Sequence, residues 1–334
     1  MINQRILYID YAKAVAMILV IVGHVNFANG DVKAWIYSFH MPAFFFCSGM
    51  VLNVRAGAVS LRDTLWNKFH RLMLPYLLWA LFYAKFSIPN FMKILYGSSV
   101  TIAGSGTLTS LWFLPVMFVA LCFFYLFVKT GQANSLVLKI ILMIIALVLG
   151  SLMPQVKIGY PWGINVAITA FAFLLLGNFS QAYFGKLSLY FKAHQSKGII
   201  ISFLLFLFMF ACTLTYRLNT IPGGWVYMKS ARYGEFPLFV LTAICGTFMV
   251  LSFCMMLELS KKSGLKYLSF IGQNTLVIYV VHKPIIHCFS AVFRRVSVPD
   301  TVALAITTIV TLLISCFLCK IINKYAPILA GRQC

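Results

Sequence analysis

The chain has 334 residues, 62% of them hydrophobic and only 10% charged, with a mean hydropathy of +0.93. Soluble domains are about 25% charged and under half apolar, so a water-surrounded core is excluded and lipid is the solvent for most of this chain. The net charge of +21 comes from 27 Lys and Arg against six Asp and Glu. No basic run is interleaved with aromatics on a polar segment, which argues against a nucleic-acid partner. Basic residues in short loops facing anionic lipid account for the charge instead.

Apolar runs of about 20 residues between breakers predict ten spans, at 6–26, 34–54, 72–90, 108–128, 136–153, 163–182, 197–216, 235–257, 268–290 and 301–323. Polar or Gly-rich stretches separate them, among them "NFANGDVK", "YGSSVTIAGSGT", "GQANS", "AHQSKG", "NTIPGGW" and "KKSG". The expected fold is all-α: a polytopic membrane bundle of about ten helices forming a single domain over 1–334. With the N-terminus inside, 16 basic residues fall in inner segments and nine in outer ones. That bias predicts both termini in the cytosol.

The first span, "IDYAKAVAMILVIVGH", lacks a small-residue cleavage site and is expected to stay in place. It carries Asp10, Lys13 and His24. At about 100° per residue, Asp10, Lys13, Met17, Val20 and His24 share one helix face. Asp10 and Lys13 can pair at i, i+3, and His24 lies about 21 Å further along, in the outer half. The stripe reads as the wall of a passage through most of the bilayer. The bland alternative is a boundary pair reaching into headgroups and a neutral, bonded histidine.

The second span opens with "SFHMPAFFFCSGM", placing His40 just before Pro42 on the outer side, at a depth similar to His24. The third is preceded by "LWNKFHRLMLPYLLW", with Lys68 and Arg71 three residues apart. This is an ordinary positive-inside cluster or a phosphate site at the cytosolic mouth. Trp112 begins the fourth span, as a packing residue or an aromatic face. In the ninth span, "NTLVIYVVHKPI" puts His282 in the outer half as well. Three histidines thus converge on one depth, and histidine alone transfers protons near neutrality with an unperturbed pKa. In the tenth span, Cys316 and Cys319 form a C-x-x-C without a partner pair or ligating histidine. They read as packing residues, and no metal site is expected.

Taken in order, "YIDYAKAVAMILVIVGH", "SFHMPAFFFCSG", "KFHRLMLPYLLW", "LWFLPVMF", "YPWGINVAITAFAFLLLGNF", "RYGEFPLFVLTAICG" and "FIGQNTLVIYVVHKPI" resemble the acyltransferase 3 family over essentially the whole chain. Within it they look like the fucose 4-O-acetylase-like branch of membrane sugar O-acetyltransferases. The resemblance implies a bundle of about ten helices in the plasma membrane, the inner membrane of a bacterium. It implies cytosolic acetyl-CoA as donor, no bound cofactor, and a hydroxyl of a cell-envelope glycan or lipid-linked sugar as acceptor. The catalytic set it implies is His24 with Lys13 and Asp10. The family more often has Arg where Lys13 stands, and its Arg-x-x-Arg falls on Lys68-x-x-Arg71, so two guanidinium forks are replaced by point charges. Lys68 and Arg71 would then bind the acyl-CoA phosphates. His40, Trp112, Glu235 and His282 would line the acceptor side, with Trp162 as a further aromatic face. His24 would serve as general base or carry the acyl group. A secondary transporter is the first rival, weakened by the lack of repeated halves. A non-catalytic membrane partner with this fold is the second.

Overall fold

The computed structural model describes residues 6–52, 60–85, 87–101, 106–132, 135–221, 223–260, 265–296 and 298–332. Arg5, Arg55, Lys261 and Lys262, which entered the charge count, and the "KKSG" separator lie outside the described residues. The described residues are helical and contain no strand; Tyr227 and Arg232 form an isolated antiparallel bridge.

In chain order the helices are α1 (Leu7–His24), α2 (Gly30–Tyr37), α3 (His40–Met50), α4 (Leu61–Lys68), α5 (Leu74–Tyr83), α6 (Ile88–Tyr96), α7 (Phe113–Lys129), α8 (Leu136–Leu152), α9 (Ile164–Ala193), α10 (Gln195–Thr213), α11 (Phe236–Ser260), α12 (Leu265–Gln273), α13 (Thr275–Phe293) and α14 (Asp300–Tyr325). Seven helical stretches among the described residues are long and apolar enough to cross a membrane: 7–24, 108–129, 161–193, 195–218, 236–260, 275–293 and 300–325. The segment Leu136–Leu152 is as apolar but one residue shorter than that length.

Two expected spans are broken. The 34–54 stretch is divided between α2 and α3 at Ser38 and Phe39. Pro42 has no N–H to return to the Ser38 carbonyl and its ring crowds it, which favours a break at this point. The third expected span, 72–90, is shifted and cut short: a helical run over 61–83 carries a π-turn at Phe69–Met73 just before Pro75 and stops at Tyr83, and α6 starts at Ile88. A π-turn absorbs the lost i→i−4 bond to Arg71. The C-terminal chain packs where that carbonyl is displaced: a Cβ on Gly331, whose φ is +67°, would lie 2.3 Å from the Arg71 oxygen.

Helix α1 is the hub. It packs against α3, α11, α12, α13 and α14, and most of its side chains are buried. The outer surface is apolar, with Ile141 and Val148 on α8, Phe203 and Phe208 on α10, and Leu313 and Phe317 on α14 exposed. That is the surface a lipid environment covers. The N-terminal end of α1 and the C-terminal chain share one end of the bundle. There Gly272 of α12 meets the Asp10 backbone, and Arg332 bonds Asn274, two residues further on.

Helices α3 and α9 cross through two glycines. A Cβ on Gly49 would fall 2.0 Å from the Leu174 oxygen, and one on Gly177 would fall 2.0 Å from the Phe46 oxygen. Small residues of this kind let membrane helices approach backbone to backbone. Gly177→Leu forces the pair apart and should cost about 1–3 kcal/mol. Thermal unfolding in detergent, followed by exposure of the buried Cys47 and Cys254 thiols, should show a lowered midpoint. An unchanged midpoint would mean the crossing is not a packing constraint.

Candidate active site

The five residues of the α1 stripe all line cavities. Asp10, Lys13 and Met17 face one of about 280 Å³. Val20 and His24 face a second of about 80 Å³. Met41 of α3 and Tyr279 of α13 belong to the walls of both, so the cavities lie end to end along α1. The Tyr279 hydroxyl donates to the Ser110 carbonyl, which fixes the partition on one side.

The Asp10 end is built by close backbone contact. Only a glycine lets α12 reach α1 here, because a Cβ at Gly272 would lie 1.9 Å from the Asp10 oxygen. Asn274 then ties the elements below the cavity. Its Nδ2 donates to the Phe270 carbonyl at 2.7 Å. Its Oδ1 accepts from Asn323 Nδ2 at 2.7 Å and Arg332 Nη2 at 3.0 Å. Gln273, Thr275 and Leu276 on either side face the cavity.

At the other end the three histidines meet. The His24 and His282 rings are edge to face with centroids 5.0 Å apart. Tyr37 stands 6.0 Å from His24 and 5.1 Å from His40, and its hydroxyl donates to the Gly23 carbonyl at 3.1 Å. Each imidazole is oriented by a backbone carbonyl three or four residues before it. Nδ1 of His24 donates to the Val20 carbonyl at 2.8 Å, that of His40 to Ile36 at 2.7 Å, and that of His282 to Tyr279 at 2.6 Å. A carbonyl only accepts, so the proton sits on Nδ1 and the neutral ring keeps its lone pair on Nε2. Nε2 of His282 is buried with no hydrogen-bond partner. His24 is half-buried and borders the open cavity.

Trp112 and His40 line the His24 cavity. Glu235 and Trp162 do not. Glu235 is exposed just before α11, its backbone N–H bonded to Asn219 Oδ1 at 2.7 Å. Trp162 adopts φ +52° and donates its indole N–H to the Leu95 carbonyl at 2.7 Å. Lys68 and Arg71 lie beyond the cavity at the Asp10 end, next to Leu72, which lines it. The Lys68 ammonium sits 5.6 Å from the Tyr125 ring centroid. Arg71 is exposed. Among the described residues no three His, Cys, Asp or Glu side chains are grouped to hold a metal ion.

The acyltransferase domain family matches residues 6–320, a stretch that takes in every element from α1 through most of α14 and all of the cavity walls. The chain belongs to this family. Its multi-pass helical build makes it a membrane acyltransferase. No curated protein matches the chain.

Several wall residues of this acyltransferase were not expected from the sequence: Tyr37, Ser110, Tyr227, Lys229 and Tyr279. Two of them carried a signal. Tyr37-x-x-His40 and Tyr279-x-x-His282 place a tyrosine three residues before a histidine, a spacing that stacks both on one helix face. Ser110 sits in the helical turn that leads into α7, while Tyr227 and Lys229 arrive from the loop between α10 and α11; no local pattern marks the three.

Proposed function

We propose that the protein is an O-acetyltransferase that moves the acetyl group of cytosolic acetyl-CoA onto a hydroxyl of a cell-envelope glycan or lipid-linked sugar, with His24 as general base. It would belong to the fucose 4-O-acetylase-like branch and lie in the plasma membrane of a bacterium. The observation that carries this reading is the end-to-end pair of cavities along α1, with the cations Lys68 and Arg71 beyond one end and an oriented imidazole at the other. The coenzyme phosphates would rest on Lys68 and Arg71. The thin pantetheine arm would run past Asp10, Lys13 and Met17, bringing the thioester to His24. Nε2 would take the proton as the hydroxyl oxygen attacks the thioester carbonyl, and the coenzyme thiolate would leave and be protonated. The same lone pair would serve if the acyl group rested first on His24.

Ten crossings fit this reading. Seven long stretches are joined by Leu136–Leu152, about 26 Å long, by α2 with α3, and by the bent run from α4 to α5. Both chain ends would be cytosolic, supported by their position at one end of the bundle and by the basic bias. Reporter fusions after residue 332 and within 219–234 should then report opposite sides of the membrane; the same side for both would break this topology.

His24→Gln keeps size and polarity but cannot relay the proton. Loss of a general base costs about 10²–10⁴-fold, so turnover of acetyl-CoA with acceptor should fall by that factor while the unfolding midpoint holds. Near wild-type turnover would remove His24 from the mechanism. Lys68→Ala and Arg71→Ala should each raise the KM for acetyl-CoA about tenfold or more, since a charged hydrogen bond is worth about 1.5–3 kcal/mol. S-acetylpantetheine, which lacks the nucleotide, should be used equally by variants and wild type. If the variants lose as much with the short donor, these residues do not hold phosphate.

A further inference from the structure

The loop between α10 and α11 covers the His24 cavity and is pinned from several sides. Asn219 Nδ2 donates to the Tyr233 carbonyl at 2.9 Å, and Asn219 Oδ1 receives the Glu235 N–H, closing the loop at its base. Tyr227 and Arg232 exchange backbone bonds of 2.9 and 3.1 Å, and the Ser99 hydroxyl donates to the Lys229 carbonyl. Val226, Tyr227, Met228 and Lys229 are thereby held as one wall of the cavity.

Two kinds of group gather at this mouth. The first is aromatic. Trp225 lies nearly parallel to Tyr37, 6.3 Å away at 23°, and 5.7 Å from Tyr227. The second is cationic. Lys229 lines the cavity itself, and Lys33 stands 6.0 Å from the Trp225 ring. No Asp or Glu lines the cavity. The acids nearest in sequence, Asp31 and Glu235, are exposed. The buried Nε2 of His282 adds an unpartnered polar atom behind His24.

A cation withdrawn from water without an acid beside it pays a desolvation cost that a bound anion repays. Burial holds the Lys229 ammonium below the ordinary lysine range. His24 faces the inside of the cavity, with Tyr37 and Tyr227 in its wall and Trp225 beside them, so a sugar would present one edge to His24 and rest its ring against these aromatic faces. An aromatic face beside a hydrogen-bonding cleft suits the C–H face of a sugar.

We infer that the acceptor is an anionic sugar, bearing a carboxylate or a phosphate, held with its charge on Lys229 and its ring against the Tyr37–Trp225–Tyr227 face, so that one hydroxyl points to His24. This rests on the transfer reading above and names the substrate class for the same site.

The test is binding without donor, using the full chain in lipid nanodiscs and titration calorimetry with glucose, glucuronate and glucose 1-phosphate. At least one anion should bind about tenfold to a hundredfold more tightly than glucose, and the ranking of the two separates carboxylate from phosphate. Lys229→Gln should abolish that preference, Lys229→Arg should keep it, and Trp225→Ala should weaken all three ligands. Equal binding of glucose and both anions, no binding of any of them, or a preference that survives Lys229→Gln would overturn the inference. Acetyl-CoA turnover by the same preparation is scored separately. A protein that selects anions but never consumes acetyl-CoA would sink the transfer reading and leave the anion site standing.

Discussion

An ionisable side chain on a membrane-crossing helix must be walled off from hydrocarbon, and the rest of this structure follows from that requirement on α1. A charge left at mid-bilayer costs at least about 2.5–3.5 kcal/mol. Helix α1 carries Asp10, Lys13 and His24 along one face, so it cannot occupy the periphery. It takes the hub position, wrapped by α3, α11, α12, α13 and α14. The outward faces are apolar: α8, α10 and α14 present isoleucine, leucine and phenylalanine there. The cavities run along α1 because that polar face is where the bundle leaves space.

Much of this was legible in the sequence. Composition alone demanded a lipid solvent, the 100° periodicity of α1 marked the residues that came to line the cavities, and seven motifs in order pointed to the family. What hydropathy could not register was where the chain breaks. A window average treats Pro42 and Pro75 as apolar residues like their neighbours, whereas each deletes a donor and displaces a carbonyl, so one expected span divides into α2 and α3 and another begins in a π-turn. The resemblance set Glu235 and Trp162 on the acceptor side. Their positions are set by loop contacts, to Asn219 and to the Leu95 carbonyl, which no local pattern encodes. Lys229 and Tyr227 enter the cavity by the same kind of long-range folding.

The histidines show how little is needed to prepare a neutral imidazole in such a place. A carboxylate partner would bring another buried charge. Here the backbone supplies the acceptor: Val20 and Tyr279 each give a carbonyl to an Nδ1 on their own helix, and Ile36 near the end of α2 gives one to His40 at the start of α3. The ring plane, the tautomer and the direction of the free lone pair are all set by helical geometry, and no long-range contact has to survive for them to persist.

The shared wall at Met41 and Tyr279 has a consequence for the cell. Two hollows approaching each other from opposite ends of a bilayer are a hazard, because a continuous thread of water between them would let protons run down the membrane potential, worth about 2.3 kcal/mol per charge at 100 mV. Tyr279 is tethered through its hydroxyl to Ser110, while Met41 is an unbranched, compliant thioether. Such a seal is rigid on one side and yielding on the other. Under the proposed transfer it would act as a gasket that a slender donor arm presses aside and fills, so that whatever threads the wall also plugs it.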